Sequence, residues 1–400
     1  MLLSLAIIFL VGLSAAAIFQ AIKLPRIIGM LATGIVVGPF VLDLLDPSIL
    51  GISSELRQIA LIIILIKAGL SLNLSDLKKV GRPAVMMSFV PACFEIIGYF
   101  CFAPLLFGIN HIEAALMGAV LSAVSPAVVV PRMVKLIEEK RGTKKSIPQM
   151  ILAGASCDDI FVIVLFSTFV TMAQGGSAQV IDFINIPVSI VLGVLLGVIV
   201  GFLVFFLFET TFNKNCKIRN SMKVIIILAV SFLLITVETW LKNYVALSGL
   251  LAVVAMACII KLKSNEKVTS RLSAKFGKLW IAAEVMLFVL VGAAVDIRYT
   301  LTAGLSAIAI IFIALAFRTV GVCICMIGTN LTIKEKIFCV IAYLPKATVQ
   351  ASIGSIPLAL GLPCGKIILS VAVLAILITA PLGAIGIDAS YRHFLEQEKE

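Results

Sequence analysis

The sequence contains few charged residues, which make up only 13% of its 400 positions. Soluble globular domains are about 25% charged, and apolar residues fill about half of their sequence. Here hydrophobic residues reach 61% of the chain, and the mean hydropathy is +1.18. This composition excludes a water-soluble fold, and no long polar stretch is left over for a soluble domain.

Histidine is scarce, and cysteine shows no ordered spacing. The two histidines, His111 and His393, lie in no recognisable metal-ligand pattern. The nine cysteines fall mostly inside apolar runs, where cysteine behaves as a small buried residue. The sequence therefore predicts no disulfide framework, no structural metal and no cofactor.

Apolar runs follow one another along the chain with short polar breaks between them. A helix that spans a bilayer needs about 20 apolar residues. The runs predict thirteen helices, near residues 2–22, 27–42, 58–73, 83–107, 112–136, 147–172, 183–208, 220–239, 246–262, 277–296, 300–327, 335–358 and 366–388. The first run has neither a basic segment before it nor a cleavage site, which indicates a retained helix and not a signal peptide. We expect an all-α polytopic membrane protein.

The net charge of +11 would suit a nucleic-acid partner, but its distribution indicates a membrane orientation instead. Connections after odd-numbered predicted helices, with the adjoining helix ends, carry 23 lysines and arginines, whereas those after even-numbered helices carry 4. Cytoplasmic loops are enriched in basic residues. The amino terminus is therefore predicted outside and the carboxyl terminus in the cytoplasm, and no nucleic-acid partner is expected.

Polar landmarks recur at equal spacing in the two halves of the chain. Asn73 closes the third predicted helix and Asp296 closes the tenth, and Glu95 and Arg318 each follow 22 residues later. The third and tenth helices run in opposite directions through the membrane. The sequence therefore predicts two inverted-topology repeats, an arrangement that places a substrate site near the bilayer midplane.

Prolines at mid-span support the same repeat. Ser125-Pro126 lies within the fifth predicted helix, and Pro345-Lys346 lies within the twelfth. Proline removes a backbone hydrogen bond and frees carbonyl groups, and lipid tolerates such a break only where it faces protein or water. We expect two broken helices that face each other.

Seven ionisable residues lie within predicted spans, where each charge costs at least about 2.5–3.5 kcal/mol. They are Lys67, Glu95, Asp158, Asp159, Glu284, Arg318 and Lys346. Lys67 is near a helix end and is expected to extend its ammonium group to the cytoplasmic surface. Glu284 either lines a pathway or pairs with a basic group.

Asp158 and Asp159 are adjacent carboxylates in the middle of one predicted helix. Desolvation and mutual repulsion both oppose the doubly ionised state, so at least one carboxyl is expected to hold a proton or a small cation. Adjacent helical residues point about 100° apart, so one can face an aqueous cavity while the other faces a neighbouring helix. The alternative is that both aspartates are structural partners of Arg318 and Lys346.

Other residues are candidates for support of this site. Ser125, before Pro126, could supply a hydroxyl and freed carbonyls to a cation, unless the proline only kinks the helix. Glu95 and Arg318 are expected to pair and to hold the two halves together. Lys346 is expected to neutralise the carboxyl end of a half-helix at Pro345.

The sequence resembles the monovalent cation–proton antiporter superfamily, most closely its sodium/hydrogen antiporter branch with a double-aspartate motif. The resemblance covers nearly the whole chain, and its combination of segments is specific. The segments are Lys23-Leu-Pro-Arg-Ile-Ile-Gly-Met-Leu-Ala-Thr-Gly, Leu121-Ser-Ala-Val-Ser-Pro-Ala-Val-Val-Val-Pro131, Gly154-Ala-Ser-Cys-Asp-Asp159 and Tyr343-Leu-Pro-Lys-Ala-Thr-Val-Gln-Ala351.

The resemblance implies crossed broken helices, a homodimer and an elevator-like movement of an ion-binding core. It implies dimerisation helices in 1–73 and 220–296, core helices in 83–172 and 300–388, a linker helix at 183–208 and a short cytoplasmic tail at 389–400. By the same resemblance, Asp159 is the obligatory ion-binding carboxylate and Asp158 is the first acid of the motif.

Arg318 lies where electrogenic relatives have a lysine that pairs with the first acid. Arginine is not deprotonated in proteins, so it cannot carry a second proton. We therefore expect electroneutral exchange of one Na⁺ or Li⁺ for one H⁺ across the plasma membrane, with Lys346 as the residue that could change this ratio.

Other functions stay open at this stage. A potassium/proton exchanger of the same superfamily is the nearest alternative, and a cation channel is a more distant one. Intramembrane proteases also use two aspartates, but on different helices and with a Gly-x-Gly-Asp sequence that this chain lacks. An enzyme is therefore not expected.

Overall fold

The computed structural model describes residues 1–22, 24–71, 81–175, 180–209, 219–241 and 247–397. The landmark Asn73 and the first residue of one resemblance segment, Lys23, lie outside the described residues. Within them the fold is all-helical, and the only extended pairing is an isolated antiparallel bridge between Arg141 and Gln397. The predicted all-α class is confirmed.

The described residues form eighteen helices, numbered here in chain order. They are α1 (Leu2–Ala21), α2 (Arg26–Val37), α3 (Pro47–Gly51), α4 (Ser53–Ser71), α5 (Arg82–Met87), α6 (Val90–Phe107), α7 (His111–Leu121), α8 (Pro126–Glu138), α9 (Ile147–Gly175), α10 (Val180–Glu209), α11 (Asn220–Leu241), α12 (Gly249–Lys263), α13 (Glu266–Ala293), α14 (Ile297–Cys325), α15 (Ile333–Ala342), α16 (Thr348–Ile353), α17 (Ile356–Ala359) and α18 (Gly365–Phe394).

Eight stretches of the described chain are long and apolar enough to cross a membrane. Two further apolar helices of the described chain, α2 and α7, are shorter. A multi-pass membrane protein is thereby confirmed, whereas the count of thirteen spans stays a prediction.

Helix α13 begins at Glu266, about three turns before the predicted start at residue 277. The sequence there is rich in bases, and its low hydropathy predicts a connection between two helices. Leu272 and Phe276 are fully buried, while Lys267 and Arg271 are exposed and Lys275 is partly exposed. The segment is an amphipathic helix, and the charged residues on one face lower its hydropathy below that of a spanning helix.

The predicted helix at 27–42 ends early, at Val37. Gly38 is extended, and Asp43 has a positive φ of 49°, so the chain turns there. The short helix α3 follows, capped by the Asp46 side chain, which accepts a hydrogen bond from Ser48 N at 2.8 Å.

The chain divides into two compact units. One comprises Met1–Ser54, Asn73–Val162 and Val285–Glu400, and the other comprises Glu55–Leu72 and Ile163–Glu284. The first unit contains eight of the predicted site residues, namely Glu95, Ser125, Pro126, Asp158, Asp159, Arg318, Pro345 and Lys346. Within this unit α6 packs on α14, and a Cβ at Gly321 of α14 would lie 2.9 Å from the Cα of Pro91. This close approach of two backbones brings the start of α6 against the last turns of α14.

Candidate functional site

The first chain break separates α7 from α8. Residues 122–125 are not helical, and Pro126 is the first residue of α8, where its missing N–H costs nothing. The break is buried, with Ser122 and Ser125 both 0% exposed. Backbone groups in such a place need partners from elsewhere in the protein.

The second chain break separates α15 from α16. Residues 344–347 are not helical, and Pro345 lies inside this segment. Ser125 N donates to the carbonyl of Pro345 at 2.8 Å, so the two breaks touch through their backbones. A mid-span proline thus lies at each interruption. Whether the two helices cross stays a prediction.

Four buried charged residues connect the breaks. Arg318 Nη1 lies 2.8 Å from Glu95 Oε2, and Arg318 Nη2 lies 3.1 Å from Asp158 Oδ2. Lys346 Nζ lies 2.6 Å from the same Glu95 oxygen. All four side chains are at most 2% exposed. Two cations therefore face two carboxylates in a dry environment, where such pairs need complete hydrogen bonding.

Arg318 also satisfies backbone groups of both breaks. Its Nε donates to the carbonyl of Tyr343 at 2.7 Å, and its Nη1 donates to the carbonyl of Ser122. Asp158 Oδ2 in addition accepts a hydrogen bond from Val124 N at 2.9 Å. Arg318 and Asp158 therefore satisfy backbone groups that the two breaks leave without helical hydrogen bonds.

Asp159 differs from its neighbour. It is 8% exposed, whereas Asp158 is 0% exposed, and it makes no ion pair or hydrogen bond with the described residues. Its Oδ1 is buried without a partner. A buried ionised carboxylate without a partner is strongly unfavourable, so this group requires a proton or a cation.

Further buried oxygens near the breaks lack hydrogen-bond partners among the described residues. These oxygens are Ser122 Oγ, Ser125 Oγ, Asp158 Oδ1, Tyr343 Oη and Thr348 Oγ1. Hydroxyl and carboxylate oxygens are the ligands that hard cations prefer. Within the described chain, no three His, Cys, Asp or Glu residues group together to hold a resident metal ion.

Two contacts show what Lys346 and the first break bind. The ammonium group of Lys346 lies on Glu95, and its role at a half-helix end stays a prediction. The carbonyls of Leu121, Ser122 and Ala123, freed by the first break, are already bonded to side chains of the second half. These carbonyls therefore already have partners, whereas the Ser125 hydroxyl has none among the described residues.

Sequence reasoning also missed residues. Gln350 and Thr348 of α16 are buried polar residues of the second break, with Gln350 at 0% exposure. The signal was a run of polar side chains directly after Pro345-Lys346, within an otherwise apolar stretch. The other two charged candidates belong to the second unit: Glu284 is 1% exposed in α13, and Lys67 is partly exposed in α4.

Gly154 precedes Asp158 by about one helical turn and leaves room for Tyr343. A Cβ at Gly154 would overlap the Tyr343 hydroxyl and would lie 3.0 Å from the Cβ of Met87. The Tyr343 ring in turn lies 5.4 Å from the guanidinium carbon of Arg318. The absence of a side chain at residue 154 therefore helps to keep Arg318 in place.

Gly154→Ala is expected to destabilise the protein by about 1–3 kcal/mol, the usual cost of overpacking a core. Thermal unfolding of the detergent-solubilised protein measures this loss. Adding Tyr343→Phe removes the overlapping hydroxyl, which has no described partner, and should restore most of the stability. An unchanged melting temperature in the single variant would contradict the close contact.

Comparisons with known proteins agree on one relationship. The sequence profile of the family described as "Sodium/hydrogen exchanger, transmembrane" matches residues 5–389. Sodium/hydrogen exchanger 9B2 of Mus musculus is 32% identical, over 96% of this chain and 72% of the relative. Sodium/hydrogen exchanger 9B1 of the same species is 33% identical, over 100% of this chain and 72% of the relative.

A solved structure shares the fold. The sodium proton antiporter MjNhaP1 from Methanocaldococcus jannaschii, at pH 8, superposes with a TM-score of 0.80, over 98% of this chain and 97% of that chain. Its sequence identity of 20% is low, so the likeness concerns the fold alone. These relatives are named as exchangers or antiporters and not as enzymes.

Proposed function

This chain belongs to the transmembrane sodium/hydrogen exchanger family, and on that premise we propose that it exchanges Na⁺ or Li⁺ for H⁺ across a membrane. The observation that carries this proposal is the state of Asp159. Its carboxylate is buried, and it has no partner among the described residues, while the neighbouring charged groups are all paired. A proton and a cation can each neutralise this carboxylate, but only one of them at a time.

The charges of the site support a ratio of one cation to one proton. Glu95 and Asp158 are balanced by Arg318 and Lys346, which leaves Asp159 as the unbalanced group of the site. Arg318 does not release a proton. Lys346 is bonded to Glu95 at 2.6 Å, and its deprotonation would leave Arg318 to balance two carboxylates alone. In each exchange cycle, the positive charge of a proton bound to Asp159 is therefore replaced by the positive charge of one cation.

Alternating access is proposed from the two breaks together. The helix pairs α7–α8 and α15–α16 meet through Ser125 and Pro345, and we propose that they are crossed broken helices of two inverted repeats. The ion-binding core would comprise residues 83–172 and 300–388 and would move as an elevator against a scaffold of residues 1–73 and 220–296. Residues 183–208 would link the two.

The same family relationship underlies three further proposals. The protein is a homodimer, in which the scaffold helices form the dimer interface. It resides in the plasma membrane with its amino terminus outside. Residues 389–400 form a cytoplasmic tail, in agreement with the basic connections counted above.

Proton flux in proteoliposomes tests the proposed function. Purified protein is reconstituted with an internal pH dye, and Na⁺, Li⁺ or K⁺ is added outside in turn. We expect saturable proton movement with Na⁺ and Li⁺. A response to K⁺ alone would indicate a potassium/proton exchanger, and cation flux without proton movement would indicate a channel.

The exchange is expected to be insensitive to membrane voltage. At fixed ion gradients, voltage is imposed with a K⁺ gradient and valinomycin, and the rate of proton movement is compared at 0 mV and at either sign of voltage. One-for-one exchange moves no net charge, so the rates should agree. A rate that changes with the imposed voltage would contradict the ratio and would implicate Lys346 as a second proton carrier.

A further inference from the structure

Gln350 is an uncharged polar residue that is completely buried in α16. A buried amide is tolerated only when its donors and its acceptor find partners. The amide group carries two N–H donors and one carbonyl acceptor. Its partners therefore show what the side chain holds together.

The partners of Gln350 lie in both chain breaks. Its Nε2 donates to the carbonyl of Ala123 at 2.7 Å and to that of Leu121 at 3.3 Å, at the first break. Its Oε1 accepts a hydrogen bond from Ala347 N at 2.8 Å, at the second break. The reverse orientation of the amide would place its oxygen against two carbonyls, so these partners define the orientation.

Gln350 and Arg318 together occupy three consecutive carbonyls. Arg318 takes the carbonyl of Ser122, which lies between the two carbonyls that Gln350 takes. The next residue, Val124, donates its N–H to Asp158. The position of the Asp158 carboxylate thus depends on a segment that Gln350 holds. Asp159 follows Asp158 directly in the same helix, so its position depends on this segment as well.

We propose that Gln350 is a positioning residue for cation binding, whose amide holds the two chain breaks in register beside Asp159. This inference rests in part on the proposed function, because the residue would act on cation affinity through backbone that it fixes. It does not touch Asp159. Removing the amide loosens both breaks and leaves the charged groups chemically intact.

The first test measures the structural effect without any ion. In Gln350→Met, a side chain of similar length without amide groups, hydrogen–deuterium exchange is compared with the wild type over the segments 121–126 and 343–348. Both segments should exchange at least about tenfold faster, because their shared partner is lost. The matched control is Ser352→Ala. Ser352 is buried in the same helix, and its side-chain hydrogen bond within the described chain goes to the carbonyl of Thr348, at 2.6 Å.

The second test measures transport. Gln350→Met should raise the KM for Na⁺ by about tenfold or more and change kcat by less than about threefold, since a displaced binding site loses affinity. Gln350→Glu, which keeps the acceptor for the Ala347 N–H but loses both donated bonds, should change KM in the same direction. Ser352→Ala should leave KM near the wild-type value.

The outcomes separate this inference from the proposed function. An unchanged rate of hydrogen–deuterium exchange in Gln350→Met, or an equal increase of that rate in Ser352→Ala, would overturn the positioning role. Faster hydrogen–deuterium exchange in Gln350→Met with an unchanged KM for Na⁺ would overturn the proposed effect of Gln350 on cation binding. If the wild type moves no protons in response to Na⁺, the proposed function is wrong, and the hydrogen exchange data alone still decide whether Gln350 holds the breaks together.

Discussion

Asp159→Asn is expected to leave the protein folded and to reduce cation–proton exchange to the level of protein-free liposomes. The asparagine amide has nearly the same shape as the carboxylate, but it neither binds a proton nor balances a cation. The charged network is expected to keep its balance, because no described ion pair involves Asp159. Purified variant in proteoliposomes is measured with the pH dye, and its melting temperature is measured beside it.

Asp388→Asn is the matched control for this variant. Asp388 is a carboxylate of α18 whose side chain is 53% exposed and lies 3.0 Å from Arg132. Exposed ion pairs contribute under about 1 kcal/mol, so exchange and stability should both stay near wild type. Sodium-driven proton flux in folded Asp159→Asn would refute the assignment of the ion site.

Glu95→Gln is expected to lower the free energy of unfolding by about 3–5 kcal/mol, the cost of leaving a buried charge uncompensated. Glu95 Oε2 receives both Arg318 Nη1 at 2.8 Å and Lys346 Nζ at 2.6 Å, so its neutralisation leaves an excess of positive charge in a dry site. Thermal unfolding measures the stability, and Na⁺ titration of the folded fraction measures the affinity. The stability should fall more than the affinity does.

Restoring the charge balance tests the cause of this loss. Adding Lys346→Met to Glu95→Gln removes the excess positive charge and should recover much of the stability, which a double-mutant cycle shows as a coupling between the two sites. Additive effects of the two substitutions would argue against a shared charge balance. A normal melting curve with a lost Na⁺ site would instead assign Glu95 to ion binding.

Charge and proline were informative in the sequence because both are costly inside a membrane. Pro126 and Pro345 mark the two interruptions, and Glu95 and Arg318, two opposite charges within predicted spans, lie 2.8 Å apart. These residues violate the rules for apolar helices, so their positions in the sequence already indicate compensation elsewhere.

The partners of the breaks could not be predicted from the sequence. Lys346 was expected at a helix end and lies on Glu95, because the direction of its side chain depends on how the chain leaves Pro345. Gln350 carries no charge and hardly alters the hydropathy, and its role becomes visible only when Ala123 and Ala347 are close in space. Spacing along one helix does not report contacts between residues more than 200 positions apart.

Calorimetry of Na⁺ binding tests most directly whether a proton and a cation exclude each other at Asp159. Titrations of the purified protein in buffers with different heats of ionisation give the number of protons released for each Na⁺ bound. Competition predicts that, at acidic pH, close to one proton is released for each Na⁺ bound. In the same pH range the Na⁺ affinity should fall about tenfold for each unit of decreasing pH. Binding of Na⁺ that releases no proton, with an affinity independent of pH, would contradict the account.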